Sequence, residues 1–300
     1  MSKNKTIENN SEPGEIRFKR LGDIAREVMH REYALTDSDK DLEVGCGGSD
    51  KMMKSGYPEL DKMLGSFVEG ALYVIGGRPA VGKTALMLDI TTKVVASTPK
   101  LVYILSLEMT AEELTQRMIS MIVNLDQKTV RGGNLTDYQK NLICLCWCIM
   151  DAMPIYICDA AASMEQIESV VREEISDGIL LIDCLQLIDA GGEHSKRSMI
   201  QSRDEISPAL KALATEKNVP IVVCSQLTQG SDQRENKRPQ LSDFRDNERI
   251  VQDADGIILI HRDPNNAGDK AELILAKNRF GETGSAYIRF DNDKWSFNYL

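Results

Sequence analysis

Apolar and polar positions along this chain change period several times, and the changes predict its elements. Between residues 16 and 29, Ile16, Phe18, Leu21, Ile24, Ala25, Val28 and Met29 recur every three to four positions, the spacing of an amphipathic helix. Ahead of it, residues 1–14 are polar and contain Pro13-Gly14, which reads as a flexible tail. Residues 35–54, acidic and Gly-rich around Gly45-Cys46-Gly47-Gly48, read as a linker. From Gly70 onward, continuous apolar runs alternate with helical periodicity. The runs predict strands at 71–76, 101–107, 154–158, 179–183, 219–225, 256–261, 271–277 and 285–290. Helices are predicted at 84–96, 111–123, 137–150, 164–176 and 199–217, the last interrupted by Pro208, which should remove a hydrogen bond and kink it. Thr110-x-x-Glu113, Thr136-x-x-Gln139 and Ser163-x-x-Gln166 are capping boxes that satisfy orphan N–H groups of a first helical turn. Such alternation predicts an α/β fold, a mostly parallel sheet with helices on both faces and ligands at the carboxyl ends of the strands. The expected division is a tail over 1–14, an amphipathic linker helix over 15–34, a linker over 35–54 and one large domain over 55–300. The helix either serves as an arm reaching a neighbouring subunit or folds back on its own domain.

Several predicted strands end in residues suited to phosphate chemistry. Gly77-Arg78-Pro79-Ala80-Val81-Gly82-Lys83-Thr84 is a GxxxxGK[ST] loop between the apolar run Ala71–Ile75 and a helical stretch, the context the motif needs. Backbone N–H groups and a helix N-terminus make an anion cradle there. Gly77 and Gly82 let the chain bend, Lys83 supplies a point charge, and the Thr84 hydroxyl suits Mg²⁺. The chain is therefore expected to bind a nucleoside triphosphate. Gly178–Asp183 is an apolar strand closing on a carboxylate, so Asp183 is the metal-side acid; Leu101–Glu108 closes on another, and Glu108 can polarise water or remain a solvated turn residue. Gln226, after Pro220–Ser225, can contact a γ-phosphate and relay its loss. Lys277 and Arg279 share a strand face and suit either trans cations for an adjacent subunit's site or a solvated basic edge.

Composition narrows the setting. No apolar run reaches the ~18 residues of a membrane span, and Met1-Ser2-Lys3-Asn4-Lys5 lacks a signal-peptide core, so a cytoplasmic protein with no membrane partner is expected. The seven cysteines sit mostly in apolar runs and read as reduced core thiols. Cys144, Cys146 and Cys148, two apart on a helix, cannot converge on a metal, and the histidines His30, His194 and His261 are widely separated. A net charge of −10 is awkward for a nucleic-acid partner without excluding one, because uncharged backbone N–H groups in a channel can hold phosphates.

Taken in order, the phosphate loop, Ser106-Leu107-Glu108-Met109, Asp183-Cys184-Leu185-Gln186-Leu187, Ser225-Gln226-Leu227, the long run Lys237-Arg238-Pro239 to Asp255, and Lys277-Asn278-Arg279 resemble the C-terminal motor domain of the DnaB-family replicative helicases. The resemblance covers roughly residues 55–291. It implies a RecA-like fold, a hexameric ring that translocates 5′→3′ on single-stranded DNA, and ATP and Mg²⁺ as cofactors hydrolysed at subunit boundaries. It makes Lys83 and Thr84 phosphate and Mg²⁺ ligands, Glu108 the catalytic carboxylate, Gln226 the γ-phosphate sensor, and Lys277 and Arg279 the trans cations. Arg245, Asp246 and Asn247 match the family's DNA-holding loop, although Glu248 departs from it. Lys196 and Arg197, in a Gly-rich loop after the metal strand, are further DNA candidates beside the plainer reading of a solvated turn.

The phosphate loop arrives at residue 77, ahead of which the family's helical N-terminal region has no counterpart, so the residues give no support for primase contact; a helicase loader remains a candidate partner. The segment 16–29 resembles the family's linker helix, which docks on the adjacent subunit. Cys184 stands where a Tyr is more usual. Two alternatives stay open: a RadA-like recombination ATPase, which shares the run Lys277–Gly281, and a nucleotide-dependent module that binds a larger helicase.

Overall fold

The computed structural model describes residues 16–35, 48, 51–132, 135–160, 163–189, 199–228, 237–244, 248–262 and 269–299. In chain order its elements are β1 (Lys19–Arg20), α1 (Leu21–Tyr33), α2 (Pro58–Leu64), β2 (Leu72–Gly77), α3 (Lys83–Ser97), β3 (Val102–Ser106), α4 (Ala111–Val123), α5 (Gln127–Gly132), α6 (Asp137–Ala152), β4 (Ile155–Cys158), α7 (Met164–Glu174), β5 (Ile179–Asp183), α8 (Met199–Lys217), β6 (Ile221–Gln226), α9 (Glu248–Asp253), β7 (Gly256–His261), β8 (Lys270–Asn278), β9 (Gly284–Asp291) and β10 (Ser296–Asn298).

All strands join one sheet in the order β1-β4-β3-β5-β6-β2-β7-β8-β9-β10. The six from β4 to β7 run parallel, and antiparallel strands extend both ends. Side-chain pattern decides which is which. Runs such as Leu72-Tyr73-Val74-Ile75 and Ile179-Leu180-Leu181-Ile182 are buried at every position, as a parallel strand covered on both faces requires. β9 instead alternates, with Ala286, Ile288 and Phe290 inside and Tyr287 and Arg289 outside, the pattern of a strand with one wet face.

Alternate residues of the parallel strands feed two cores. Tyr73, Ile75, Ile104, Leu181 and Ile258 pack with Leu86 of α3, Met118 of α4 and Trp147 of α6; Leu72, Val74, Leu105, Leu180 and Leu259 pack with Ile167 of α7, Leu210 of α8 and Ile250 of α9. All three capping boxes form; Thr110 N–H, for instance, donates to Glu113 Oε2 at 3.0 Å while Glu113 N–H donates to Thr110 Oγ1 at 3.2 Å. The described cysteines carry no disulfide. α8 runs from Met199 to Lys217 through Pro208, so the missing N–H does not end the helix.

The N-terminal amphipathic stretch differs from its periodicity in register. Ile16 and Phe18 precede the helix in an extended segment whose Lys19 and Arg20 pair with Ile157 and Tyr156 of β4, and the helix starts at Leu21 and continues to Tyr33. Pairing with an open sheet edge satisfies backbone groups that the first helical turn would leave orphaned. The apolar face of α1, with Leu21, Ile24, Ala25, Val28 and Met29, is buried against α4 and α6 of its own chain. Each fully buried aliphatic there contributes roughly 1.5–3 kcal/mol. Arg31 adds a two-pronged ion pair to Glu112, at 2.8 and 2.6 Å. Met53, within the expected linker, is buried in the same core.

Candidate nucleotide site and the opposite end of the sheet

β2 delivers Gly76 and Gly77 into the phosphate loop, and the loop closes on the first turn of α3. A Cβ on Gly77 would lie 2.6 Å from Val81 Cγ1, and Gly82, at φ +108°, sits in the left-handed region that glycine tolerates. Arg78 is partly exposed, Pro79 and Ala80 are exposed at the loop tip, and Val81, Gly82 and Lys83 are buried beneath it. Lys83, 7% exposed, donates from Nζ to the carbonyls of Gly77 at 3.2 Å and Arg78 at 3.0 Å. Its ammonium is thereby held under the cradle where phosphate charge would collect.

The carboxylates reach the loop through strand register. Ser106 of β3 pairs with Asp183 of β5, and Leu107 N–H donates to the Asp183 carbonyl at 2.6 Å, which carries the next residue, Glu108, over Asp183. Ligand atoms of Glu108, Asp183 and Cys184 lie within 4.8 Å of one another. Asp183 is 1% exposed; its Oδ2 accepts the Thr84 hydroxyl at 2.5 Å, and its Oδ1 is buried with no N–H or O–H partner. Burial pushes the Asp183 carboxyl above its ordinary range; the Thr84 hydrogen bond, the Lys83 charge and the Cys224 thiol oppose this, and the Glu108 charge adds to it. A buried carboxylate oxygen without an N–H or O–H donor, beside a threonine hydroxyl, makes a hard-oxygen pair that fits a Mg²⁺ ion. Burial, helped by the Asp183 and Glu108 charges, raises the Cys184 thiol to about 11, so it stays protonated and outside a hard cation's ligand set.

Gln226 ends β6 beside Gly77, its register partner on β2, and is exposed. Its backbone is held by a residue to which the sequence assigned no role. Gln186, in the turn after β5, accepts from Gln226 N–H at 3.1 Å and donates to the Gln226 carbonyl at 3.2 Å and to Ser225 Oγ at 3.0 Å. The turn after β5 and the end of β6 are thus latched together. Two further cations were not legible in the chain. Arg262 lies over the Phe290 ring at 3.9 Å, donates to Asn292 Oδ1 at 2.6 Å and reaches the Val81 carbonyl at 3.5 Å, on the flank of the phosphate loop. Arg117 of α4 is half-buried against Trp295 and feels the Asp183, Glu113 and Glu108 charges, although burial dominates and lowers its proton affinity.

Lys277 and Arg279 lie elsewhere. β8 runs antiparallel to β7, so Asn278 pairs with Gly256 at the end of the sheet where β2 begins; Asp255 N–H donates to the Leu72 carbonyl there at 2.7 Å. Leu72 and Gly77 are the two ends of β2, and five strand steps separate them by about 17 Å. Lys83, Thr84, Glu108, Asp183 and Gln226 therefore converge at one end of the sheet, and Lys277 and Arg279 stand at the other. There Lys277 Nζ donates to the carbonyls of Val251 and Gln252 at 2.7 and 2.9 Å, and Arg279 donates to Asp255 Oδ1 at 3.0 Å and the Gln252 carbonyl at 3.1 Å. Lys196, Arg197, Arg245, Asp246 and Asn247 lie outside the described residues.

Comparison with known proteins gives the family. The replicative DNA helicase DnaC of Bacillus subtilis is 37% identical over 247 residues, 79% of this chain and 54% of that protein. The chain spans about half the length of the curated relatives it matches. A solved DnaB-like replicative helicase, described together with its interactions with primase, superposes with a TM-score of 0.74 at 26% identity, covering 88% of this chain and 66% of that one. The RadB recombinase, at 18% identity and a TM-score of 0.51 over 83% of this chain and all of that one, shares the RecA-like fold alone. With residues 52–299 matched by the model of the DnaB-like helicase C terminal domain, this chain belongs to that family.

Proposed function

We propose that this chain is the motor of a ring-shaped DNA helicase, hydrolysing ATP at seams between copies while moving 5′→3′ along single-stranded DNA. The observation that carries the reading is the separation just described: cradle and carboxylates at one end of the sheet, paired cations about 17 Å away. Head-to-tail packing of identical copies, which closes rings, would bring one copy's Lys277 and Arg279 to the next copy's phosphate loop.

Thr84, and Asp183 through its water shell, would hold Mg²⁺, which supplies charge neutralisation on the β- and γ-phosphates. Lys83 turns from its loop carbonyls to the phosphates. Glu108, exposed above Asp183, takes the proton of the water that attacks the γ-phosphorus as the bond to the β-phosphate oxygen breaks, leaving ADP and phosphate. Arg279 of a neighbouring copy meets the charge that builds on the transferred group. Gln226 senses loss of the γ-phosphate, and the Gln186 latch passes the change to the metal strand. The Arg245 side chain and the backbone N–H groups of Asp246 and Asn247 would hold DNA phosphates in the ring's channel, with Lys196 and Arg197 as additional contacts; a helicase loader is a further partner of this reading. The reading includes a cytoplasmic setting; among the described residues no helix is long and apolar enough to cross a membrane.

Phosphate release measured with and without single-stranded DNA, followed by strand separation on forks of both polarities, tests the proposal. DNA-stimulated hydrolysis with unwinding of a 5′-tailed fork is expected. Hydrolysis without separation of either fork overturns the helicase assignment, and annealing or branch migration in its place moves the chain to the recombination class.

A further inference from the structure

The base of the sheet holds a buried carboxylate that the mechanism above does not use. Asp255, 2% exposed, sits between α9 and β7 and collects three elements on two oxygens. Oδ2 accepts Leu72 N–H of β2 at 2.8 Å and Lys211 Nζ of α8 at 2.7 Å; Oδ1 accepts Arg279 Nη1 at 3.0 Å. The backbone doubles the attachment, with Arg279 N–H donating to the Asp255 carbonyl at 2.8 Å. Lys211 is fixed in turn by the Gly70 carbonyl at 2.9 Å.

We propose that Asp255 is a positioning residue for the reaction on a neighbouring copy: rooted at the start of β2, it aims Arg279 out of this chain. The inference rests on the trans reading of Arg279. A guanidinium carries five N–H donors in a rigid fork. Asp255 Oδ1 and the Gln252 carbonyl engage one each, which fixes the plane and leaves the others for a phosphate, and the side chain is 51% exposed. A carboxylate beside an arginine finger would ordinarily cancel the charge that the finger exists to supply. Here Lys211, closer to Asp255 than Arg279 is, balances the carboxylate, so the clasp orients Arg279 without neutralising it. The same carboxylate attracts the Lys277 charge, which Arg279 repels. Asp255 is also tied to Leu72, the first residue of the strand that ends in this chain's own phosphate loop. One rigid strand therefore joins a copy's cradle to the cation it lends.

Charge and aim make opposite predictions for Asp255→Asn. Removing the negative charge leaves Arg279 more strongly cationic, so a role limited to electrostatics raises turnover, whereas loss of aim lowers it. The double variant Lys211→Met/Asp255→Asn removes one charge of each sign, keeps an acceptor for Leu72 N–H, and carries the test should the single variant not fold. Steady-state kcat, affinity for a fluorescent ATP analogue and thermal melting are measured for both variants, for Arg279→Ala, and for Asp255→Asn/Arg279→Ala. The expected result is analogue binding within about twofold of the parent and kcat lowered on the order of 10²-fold, the scale of a small misplacement of a reacting group. Asp255→Asn should add no loss to Arg279→Ala, and Asp255→Asn mixed with Lys83→Ala should regain turnover, because the Lys83→Ala copies bring intact clasps. A folded variant with kcat equal to or above the parent removes the role from Asp255, as does a further loss on top of Arg279→Ala. Failure of Arg279→Ala mixed with Lys83→Ala to regain any turnover refutes the trans reading itself, whatever the Asp255 variants do.

Discussion

Mixing two dead variants is the sharpest test of a shared active site. Arg279→Ala removes the lent cation and leaves the cradle intact; Lys83→Ala does the reverse. Arg279 contacts Asp255 and Gln252 at the start of β2, and the phosphate loop begins at that strand's other end. The gap of about 17 Å compares with the ~3 Å that a charge-assisted hydrogen bond needs, so no rearrangement of a side chain brings Arg279 to its own nucleotide. Each parent should lose turnover by a factor on the order of 10³ while Arg279→Ala still binds nucleotide. Subunits dissociated, mixed and reassembled pair at random around a head-to-tail ring. A working seam needs its cradle from an Arg279→Ala copy and its cation from a Lys83→Ala copy, so at equal proportions about a quarter of seams are complete. Phosphate release plotted against mixing ratio should trace a parabola with its peak at equal proportions. A straight line between the two parents would mean that each chain completes its own site, and the seam mechanism would be wrong.

Other outcomes follow from named contacts. Asp183→Asn removes a buried charge whose Oδ1 has no N–H or O–H partner, so the nucleotide-free protein should melt at higher temperature while Mg²⁺-dependent turnover is abolished. Glu272 is held below its ordinary carboxylate range first by its hydrogen bonds to Arg238, at 2.7 and 3.0 Å. A depressed folded value means that this stability is present above the unfolded pKa and is lost as pH falls through the folded one; Glu272→Gln should therefore lower the urea midpoint at pH 7, with the gap closing as the acid end is approached. Met29→Ala, fully buried on α1, should cost about 2–5 kcal/mol in urea unfolding if α1 stays docked on its own chain, and far less if it does not. Arg245→Ala should weaken single-stranded DNA binding and reduce the slope of log affinity against log salt by about one, with ATPase activity in the absence of DNA preserved.

Much of the fold was legible because parallel strands announce themselves. Runs such as Ile179–Ile182 are apolar at every position, and the capping boxes mark where three of the helices start. What escaped was short or conditional on distant partners. α2 and α9 make fewer than two turns, too few for periodicity to register, although Pro58 in the first turn of α2 was a usable sign. Ile16 and Phe18 fit a helical stripe and belong to an extended segment, because a strand edge far along the chain, at Tyr156 and Ile157, was there to pair with it. In the site, the motifs placed Glu108, Asp183 and Gln226 at or just past strand ends and Lys83 and Thr84 at the start of a helix, and the structure brings them together. The supports were hidden. Gln186 lay within a quoted motif without a role, and Asp255 looked like one more carboxylate in an acidic run until the fold placed Lys211 and Arg279 against it. The side of the sheet on which a strand end falls is a property of topology, so the distance between cradle and cations could not be read from the order of the motifs.

The docking of α1 on α4 and α6 has a consequence for assembly. If neighbouring copies trade these helices, every groove gains the same side chains that it gave up, and the interaction energy is nearly unchanged by the trade. What then separates lone chains from a closed circle is protein concentration, the entropy of the connecting segment and the new seam surface. On the proposed ring reading, such a chain would persist alone with its greasy helix tucked in and would close into a ring only where enough copies meet.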